Sequence, residues 1–295
     1  MESAREQLAL PLLDAAAADL ANAGRVTYAL HQRFRYEYVG DAYDMQHRLV
    51  VVPRLRHGSQ RRVLHEVTVS APDAAVQTRR DSHGNVVTDI RLQIVPETVE
   101  FVVGVIIERS APFGDAILPQ HSLRDPRMLR PSRLTAADDV LRSVAAELRR
   151  RARDDLTFAE RACDHVHKAI AYEYGVTSVA TPAAEAYAGG RGVCQDHAHV
   201  MIALCRAAGI PARYVSGHLL GEGGSHAWVE VVVPHGDRAR AVAFDPCNGC
   251  RAGATYITVA TGRDYAHVAP TSGFYSGDAS GRLTVTKRVG VVRAA

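Results

Sequence analysis

Lysine is almost absent from this chain: of its 35 Lys and Arg residues, only Lys168 and Lys287 are lysines. Alanine is abundant beside the arginine, so the bias is compositional. With 32 acidic residues the net charge is +3, too balanced to mark a nucleic-acid binder. The densest basic run, Arg149-Arg150-Arg151-Ala152-Arg153, is followed at once by Asp154-Asp155 and reads as a solvated helix end. No stretch approaches the ~18 consecutive apolar residues of a membrane span, so no membrane segment is expected. The opening "MESAREQLALPLLDAAAADL" lacks a basic region before its apolar residues and carries Glu2, Glu6, Asp14 and Asp19, which argues against a signal peptide. Five cysteines, an odd number without a repeating frame, exclude a disulfide scaffold and fit a reducing compartment. A cytoplasmic location is the expectation.

What is present is ordinary globular material, 47% hydrophobic and 23% charged, and 295 residues suffice for two cores. From Val26 to Arg109 the dominant period is two. "RVTYALHQRFRYEY" alternates Val26, Tyr28 and Leu30, then Phe34, Tyr36 and Tyr38, and further Val- and Ile-rich runs follow. Asp81-Ser82-His83-Gly84-Asn85 reads as a hairpin loop in which Gly84 or Asn85 supplies a positive φ. A strand-only stretch of this length predicts a β-sandwich or small barrel over 25–112, after an N-terminal helical segment over 1–24. Four prolines between 112 and 131 mark 113–134 as a linker. From Thr135 to 295 the pattern predicts helices first and then an antiparallel sheet. Helices are expected from Thr135, over Thr157–Ala171, over Pro182–Tyr187 and after Cys194, the last stopping at Gly209. Strands then run over Ala212–Leu219, Ala227–Val233, Arg240–Phe244 and Tyr256–Ala260, with a final pair within Phe274–Arg293. The class is α+β.

Cys194 sits between a glycine turn (Gly189, Gly190, Gly192) and an apolar helix pattern. At the first turn of a helix, unpaired N–H groups and the helix dipole favour a thiolate and can hold a developing oxyanion. A buried, inert cysteine is the ordinary alternative. A thiol nucleophile needs a base, and the base an orienting partner. "SHAWVEVVVPHGDRARAVAFDP" offers His226 at the start of one strand and Asp245 at the end of the next. A hairpin centred between His235 and Gly236 places the two directly opposite each other, within reach of a hydrogen bond. A slip of one residue would put them on opposite faces.

These residues carry a resemblance. "GVCQDHAHVMIALCRAAGIPARYVSGHL", "SHAWVEVVVP" and "AFDPCNG", in that order, are similar to the transglutaminase-like superfamily, in its bacterial branch, with a papain-like cysteine–histidine–aspartate core. "GRDYAHVAPTSGFYSG" extends the likeness. "FRYEYVGDAYDMQHRLVVVPR" and "RRDSHGNVVTDIRLQI" resemble the β-rich N-terminal region such proteins carry. The resemblance implies Cys194 as nucleophile, His226 as general base and acid, Asp245 as orienter, and Trp228 as a packing residue beside the site. It leaves the second oxyanion donor open among Tyr172, Tyr174 and Gln195. Cys247 stands where the family often has Thr or Ser, and Phe244 stands for an aromatic before the aspartate.

Other motifs lead less far. Cys247-Asn248-Gly249-Cys250 lacks the second ligand pair that a zinc site needs; a redox pair or a plain turn remains. His197 and His199, two apart on a helix, point about 200° apart and cannot converge on a metal. No run of spaced carboxylates resembles a calcium loop. No cofactor and no metal are expected. The expected activity is thiol-dependent acyl transfer on a peptide, protein or γ-glutamyl-type amide, ending in hydrolysis or in transfer to an amine. A non-catalytic binding module is the rival.

Overall fold

The computed structural model describes residues 12, 20, 23–111 and 115–294. The helical segment expected over 1–24 lies outside the described residues apart from positions 12, 20, 23 and 24. In chain order the main strands are β1 (Arg25–Val39), β2 (Ala42–Val52), β3 (Gln60–Val69), β4 (Ala75–Arg80), β5 (Val86–Ile94), β6 (Thr98–Ser110) and β7 (Ala116–Leu118). Helices α1 (Asp139–Arg150), α2 (Asp155–Ala169), α3 (Ala183–Gly189) and α4 (Cys194–Ala207) follow. Strands β8 (Ala212–Leu219), β9 (His226–His235), β10 (Arg238–Asp245), β11 (Tyr256–Gly262), β12 (Thr271–Gly277) and β13 (Ser280–Ala294) complete the chain. The architecture is α+β, a β-rich unit followed by a helix-and-sheet core. Among the described residues no helix is long and apolar enough to cross a membrane.

The β-rich unit is two antiparallel sheets, one ordered β13-β1-β6-β3 and the other β12-β2-β5-β4. Alternation decides which side chains they share. Val26, Tyr28, Leu30 and Phe34 of β1 and Val99, Phe101, Val103, Val105 and Ile107 of β6 enter one core with Met45, Leu49 and Val51 of β2 and Ile90 and Leu92 of β5. The sequence placed the last two strands in the second half of the molecule. They instead cross back: β13 pairs with β1 and β12 with β2, so each closes one edge of the first unit. Strand pairing between distant segments leaves no local signal, because period two marks a strand but not its neighbour.

The second unit is a sheet ordered β10-β9-β8-β11 with α4 laid against one face. Nearly all of α4 from Gln195 to Arg206 is buried, among α1, α2, α3 and the sheet. That is why its apolar residues run all round rather than along one stripe. The segment 113–134, read as a linker, is structured in its described part. Ala116–Leu118 joins β10 as an antiparallel strand, short helical turns cover 120–135, and buried Arg206 binds the Met128 carbonyl and the Thr135 hydroxyl. The first helix starts later than Thr135, because the cap is Asp138, whose carboxylate accepts from Leu141 N–H.

Strand β11 lies at an edge of the core sheet, and the β-rich unit covers it with two side-chain amides. Gln60 donates to the Thr258 carbonyl at 2.7 Å and accepts from its N–H at 3.0 Å. Asn85 does the same at Thr261, at 2.8 and 2.9 Å. Each amide mimics a strand's peptide group and satisfies an otherwise open edge. Within the Asp81–Asn85 loop it is Gly84, at φ +78°, that takes the left-handed conformation, which frees Asn85 for this contact.

Candidate active site

Helix α4 opens at Cys194, so its first amides point outward without intrahelical acceptors. Asp196 fixes the entry: its Oδ2 accepts from Val193 N–H at 2.8 Å and from the Thr177 hydroxyl at 2.6 Å. Gly192 is required by this closeness, since a Cβ there would stand 2.6 Å from the Asp196 Oδ2. The Cys194 thiol is half-buried.

The hairpin that carries the other two residues has a different register from the one expected. His235 pairs with Arg238, leaving Gly236-Asp237 as a two-residue turn with Gly236 at φ +58°. The centre therefore moves by one position, and Asp245 lies across from Trp228 rather than from His226 by continuation of that register. The offset of two between His226 and Asp245 keeps both on one face, as a diagonal pair. The imidazole spans the gap: His226 Nε2 lies 2.7 Å from Asp245 Oδ2.

Asp245 is fully buried yet ionised, because donors surround it. Cys247 N–H, Asn248 N–H, the Asn248 side-chain amide and the Tyr256 hydroxyl donate to its two oxygens at 2.8 to 3.1 Å. Burial raises its pKa, but the bonds from His226, Tyr256 and Asn248 outweigh burial and hold it below the ordinary value. Burial likewise acts against charge on His226, but hydrogen bonds to Asp245 and Cys194 carry its pKa up to about 10. The ring is thus poised as an imidazolium, with Nε2 on the carboxylate and Cys194 as its other partner. Glu222, in the glycine-rich turn before β9, places Oε2 3.2 Å from Nδ1.

Trp228 is 1% exposed, stacked on the His226 ring with centroids 6.2 Å apart and edge-on to Tyr256 at 5.4 Å. It fits because Gly217 lies beneath it; a Cβ on Gly217 would stand 2.4 Å from the indole and 2.1 Å from the Ile257 carbonyl. The three residues suggested as oxyanion donors differ in their surroundings. Tyr172 is exposed beside the thiol, its acidity weakened by slight burial and then by the nearby Cys194. Tyr174 is 88% exposed. The Gln195 amide is turned to the Ser178 carbonyl at 3.4 Å. Sequence reasoning missed Tyr256, Asn248 and Glu222. Asn248, three residues after an Asp-Pro turn, carried a recognisable Asx-type signal; Tyr256 and Glu222 carried none.

The other cysteines are chemically quieter. Burial pushes the Cys163 and Cys205 thiols up to about 12 and raises that of Cys247 further. Cys247 and Cys250 are free, and Cys250 is exposed with its sulfur 3.4 Å from the Tyr256 hydroxyl. His197 bonds the Val193 and Ile170 carbonyls, and His199 accepts from Tyr265 N–H, so both are structural.

Comparison with known proteins agrees with the fold. Residues 142–246 match the transglutaminase-like superfamily, and residues 28–108 match the bacterial transglutaminase-like N-terminal region. An uncharacterized protein of Mycobacterium tuberculosis is 28% identical, with 92% of this chain and 91% of that one covered. An uncharacterized protein of Mycobacterium leprae is 38% identical over 128 residues, 40% of this chain and 44% of that one. The crystal structure of a proposed cysteine protease from Cytophaga hutchinsonii shares the fold, with a TM-score of 0.72, 22% identity and 91% of both chains covered. The chain thus carries a bacterial transglutaminase-like N-terminal region followed by a core that matches the transglutaminase-like superfamily.

Proposed function

We propose that the protein is a thiol-dependent acyl-transfer enzyme, a cysteine peptidase or amidase that cleaves a peptide or γ-glutamyl-type amide through a thioester on Cys194. The observation that carries this reading is the bonding of His226. Nε2 is committed to a buried, ionised Asp245, and the other ring nitrogen, which Glu222 approaches from its turn, exchanges a proton with the thiol and the substrate.

In the first step the Cys194 sulfur attacks the amide carbonyl carbon, and the oxygen takes up negative charge toward the free amides at the start of α4. His226 gives its proton to the leaving nitrogen as the C–N bond breaks, which releases an amine and leaves a thioester. His226 then takes a proton from water, the hydroxide adds to the thioester carbonyl, and the sulfur departs with the acid as product. An amine arriving in place of water gives transfer by the same steps.

Thiol labelling and turnover test this together. Iodoacetamide at neutral pH is expected to modify Cys194 ahead of the exposed reference Cys250, with Cys163, Cys205 and Cys247 unreacted in the folded protein. Cys194→Ala is expected to abolish amide turnover across a peptide and γ-glutamyl panel without changing the melting temperature by more than a few degrees. Wild-type turnover that survives Cys194→Ala overturns the reading.

A further inference from the structure

Where the β-rich unit meets the core sheet lies a cavity of about 350 Å³, bounded by β1, β2, β8, β11 and β13 and by the turn Gly223-Gly224-Ser225 directly ahead of His226. Its walls are largely apolar, with Phe34, Val259 and Val285 among them. Three buried polar residues interrupt them: Ser216, Gln32, 5% exposed, and His218, 3% exposed. The Gln32 Oε1 and His218 Nδ1 have no hydrogen-bond partner among the described residues. Interiors rarely leave such atoms unpaired, and two on residues that line one cavity point to a molecule that supplies the missing bonds.

The chemistry of the lining selects that molecule. Gln32 Oε1 can only accept, so the ligand brings an N–H or O–H. Burial holds the His218 pKa down to about 3, so its ring is neutral and offers one donor and one acceptor. Lys287 is the one charged residue among the described lining residues, with Glu222 near it outside the lining. Its ammonium donates to the Gly224 carbonyl, which leaves two of three N–H groups for an anion. A single cation beside a carbonyl acceptor suits a monoanion better than a phosphate dianion. The apolar walls suit a hydrocarbon side chain. From these demands we infer that the cavity binds the carboxylate end of a peptide or of an N-acylated amino acid: the carboxylate on Lys287, the neighbouring amide N–H on Gln32 Oε1, and the side chain among Phe34, Val259 and Val285. Binding there requires no chemistry at Cys194. It places the recognised terminus against the turn that leads into His226.

Calorimetric titration of the full chain carrying Cys194→Ala tests this without turnover. N-acetyl-L-leucine is expected to bind at least tenfold more tightly than N-acetyl-L-leucinamide, which keeps the N–H and loses the charge. Lys287→Met is expected to remove that preference, and Gln32→Leu to weaken both ligands. Val285→Phe, at a half-exposed position where folding tolerates a larger ring, is expected to fill the space and abolish binding with the melting temperature unchanged. A tripeptide acid ending in leucine that binds more tightly than N-acetyl-L-leucine assigns the site to peptide termini, and the reverse order assigns it to free acylated amino acids. Equal affinity for acid and amide, a preference that survives Lys287→Met, or no binding of either at millimolar concentration overturns the inference and leaves a water-filled cavity.

Discussion

Strand β9 carries two histidine–carboxylate pairs, four residues apart. His226 meets Asp245 at 2.7 Å, and Glu230 meets His57 at 2.5 Å. All four groups are buried. By distance alone either pair could supply a base, yet their surroundings drive the two rings in opposite directions. Around His226 the remaining neighbours are a thiol and Glu222, and the ring holds its proton to about 10. His57 is pushed below its ordinary value first by burial. Glu230 opposes that shift, while Arg213 and Arg54 reinforce it. Glu230 is already satisfied by Arg213, 2.6 Å away, and stays ionised below the usual carboxylate range despite its burial. His57 therefore donates a neutral N–H into a closed network, whereas His226 is a charged group with work left to do. The lesson is that a short imidazole–carboxylate contact does not define a general base; the next shell of charge does.

Exchanging one carboxylate oxygen for an amide in each pair tests the contrast most strongly. Asp245→Asn is expected to lower kcat/KM by about 10³-fold or more, through loss of ring orientation and of imidazolium stabilisation, and to lower the urea midpoint as well, since the charged ring loses its buried partner. Glu230→Gln is expected to touch stability alone. Activity per folded molecule should stay within about twofold, while stability falls by about 3 kcal/mol because Arg213 loses its buried partner. Similar effects of both variants on both readouts would erase the distinction.

The pH dependence sharpens it. His226 has a raised folded pKa, so its contribution to stability is fully present below its ordinary value near 6.5 and is lost as pH rises through about 10. His57 has a lowered one. Its neutral ring costs nothing above pH 6.5, but stability drains as pH falls below that, when the unfolded chain takes up a proton the folded chain refuses. Ring-proton NMR is expected to show His57 neutral at pH 7 and His226 charged up to pH 9. Urea denaturation across pH should fall at both ends. The smallest expected effect comes from Tyr256→Phe, which removes one of several donors on Asp245 Oδ2: a five- to tenfold loss of kcat/KM, about 1 kcal/mol, with the alkaline limb of the pH profile shifted.

The candidate triad was legible because its parts lie in segments with strong local signals: a cysteine behind glycines at a helix start, and a histidine and an aspartate at the ends of one hairpin. The register of that hairpin was less so. "PHGD" admits more than one turn, and Gly236 taking a positive φ in a two-residue turn shifts the centre by one position. The His226–Asp245 contact survived because that shift preserves parity. The partners of Asp245 that come from farther along the chain were hidden, since Tyr256 reaches it only after the sheet has formed. The return of β12 and β13 to the first two sheets was hidden for the same reason. So were the amide clasps of Gln60 and Asn85, because a polar residue in a turn or at a strand start looks the same whether it faces water or a neighbouring strand.

That return has a consequence for how the molecule can move. Seen along the chain, the helix-and-sheet core is an insertion within the β-sandwich: the polypeptide leaves after β6 and re-enters at β12. A body hung from one peptide connection can swivel freely about it. A body hung from two is held at both points of attachment. A single protease cut within 115–268 would therefore leave both fragments woven into the sandwich.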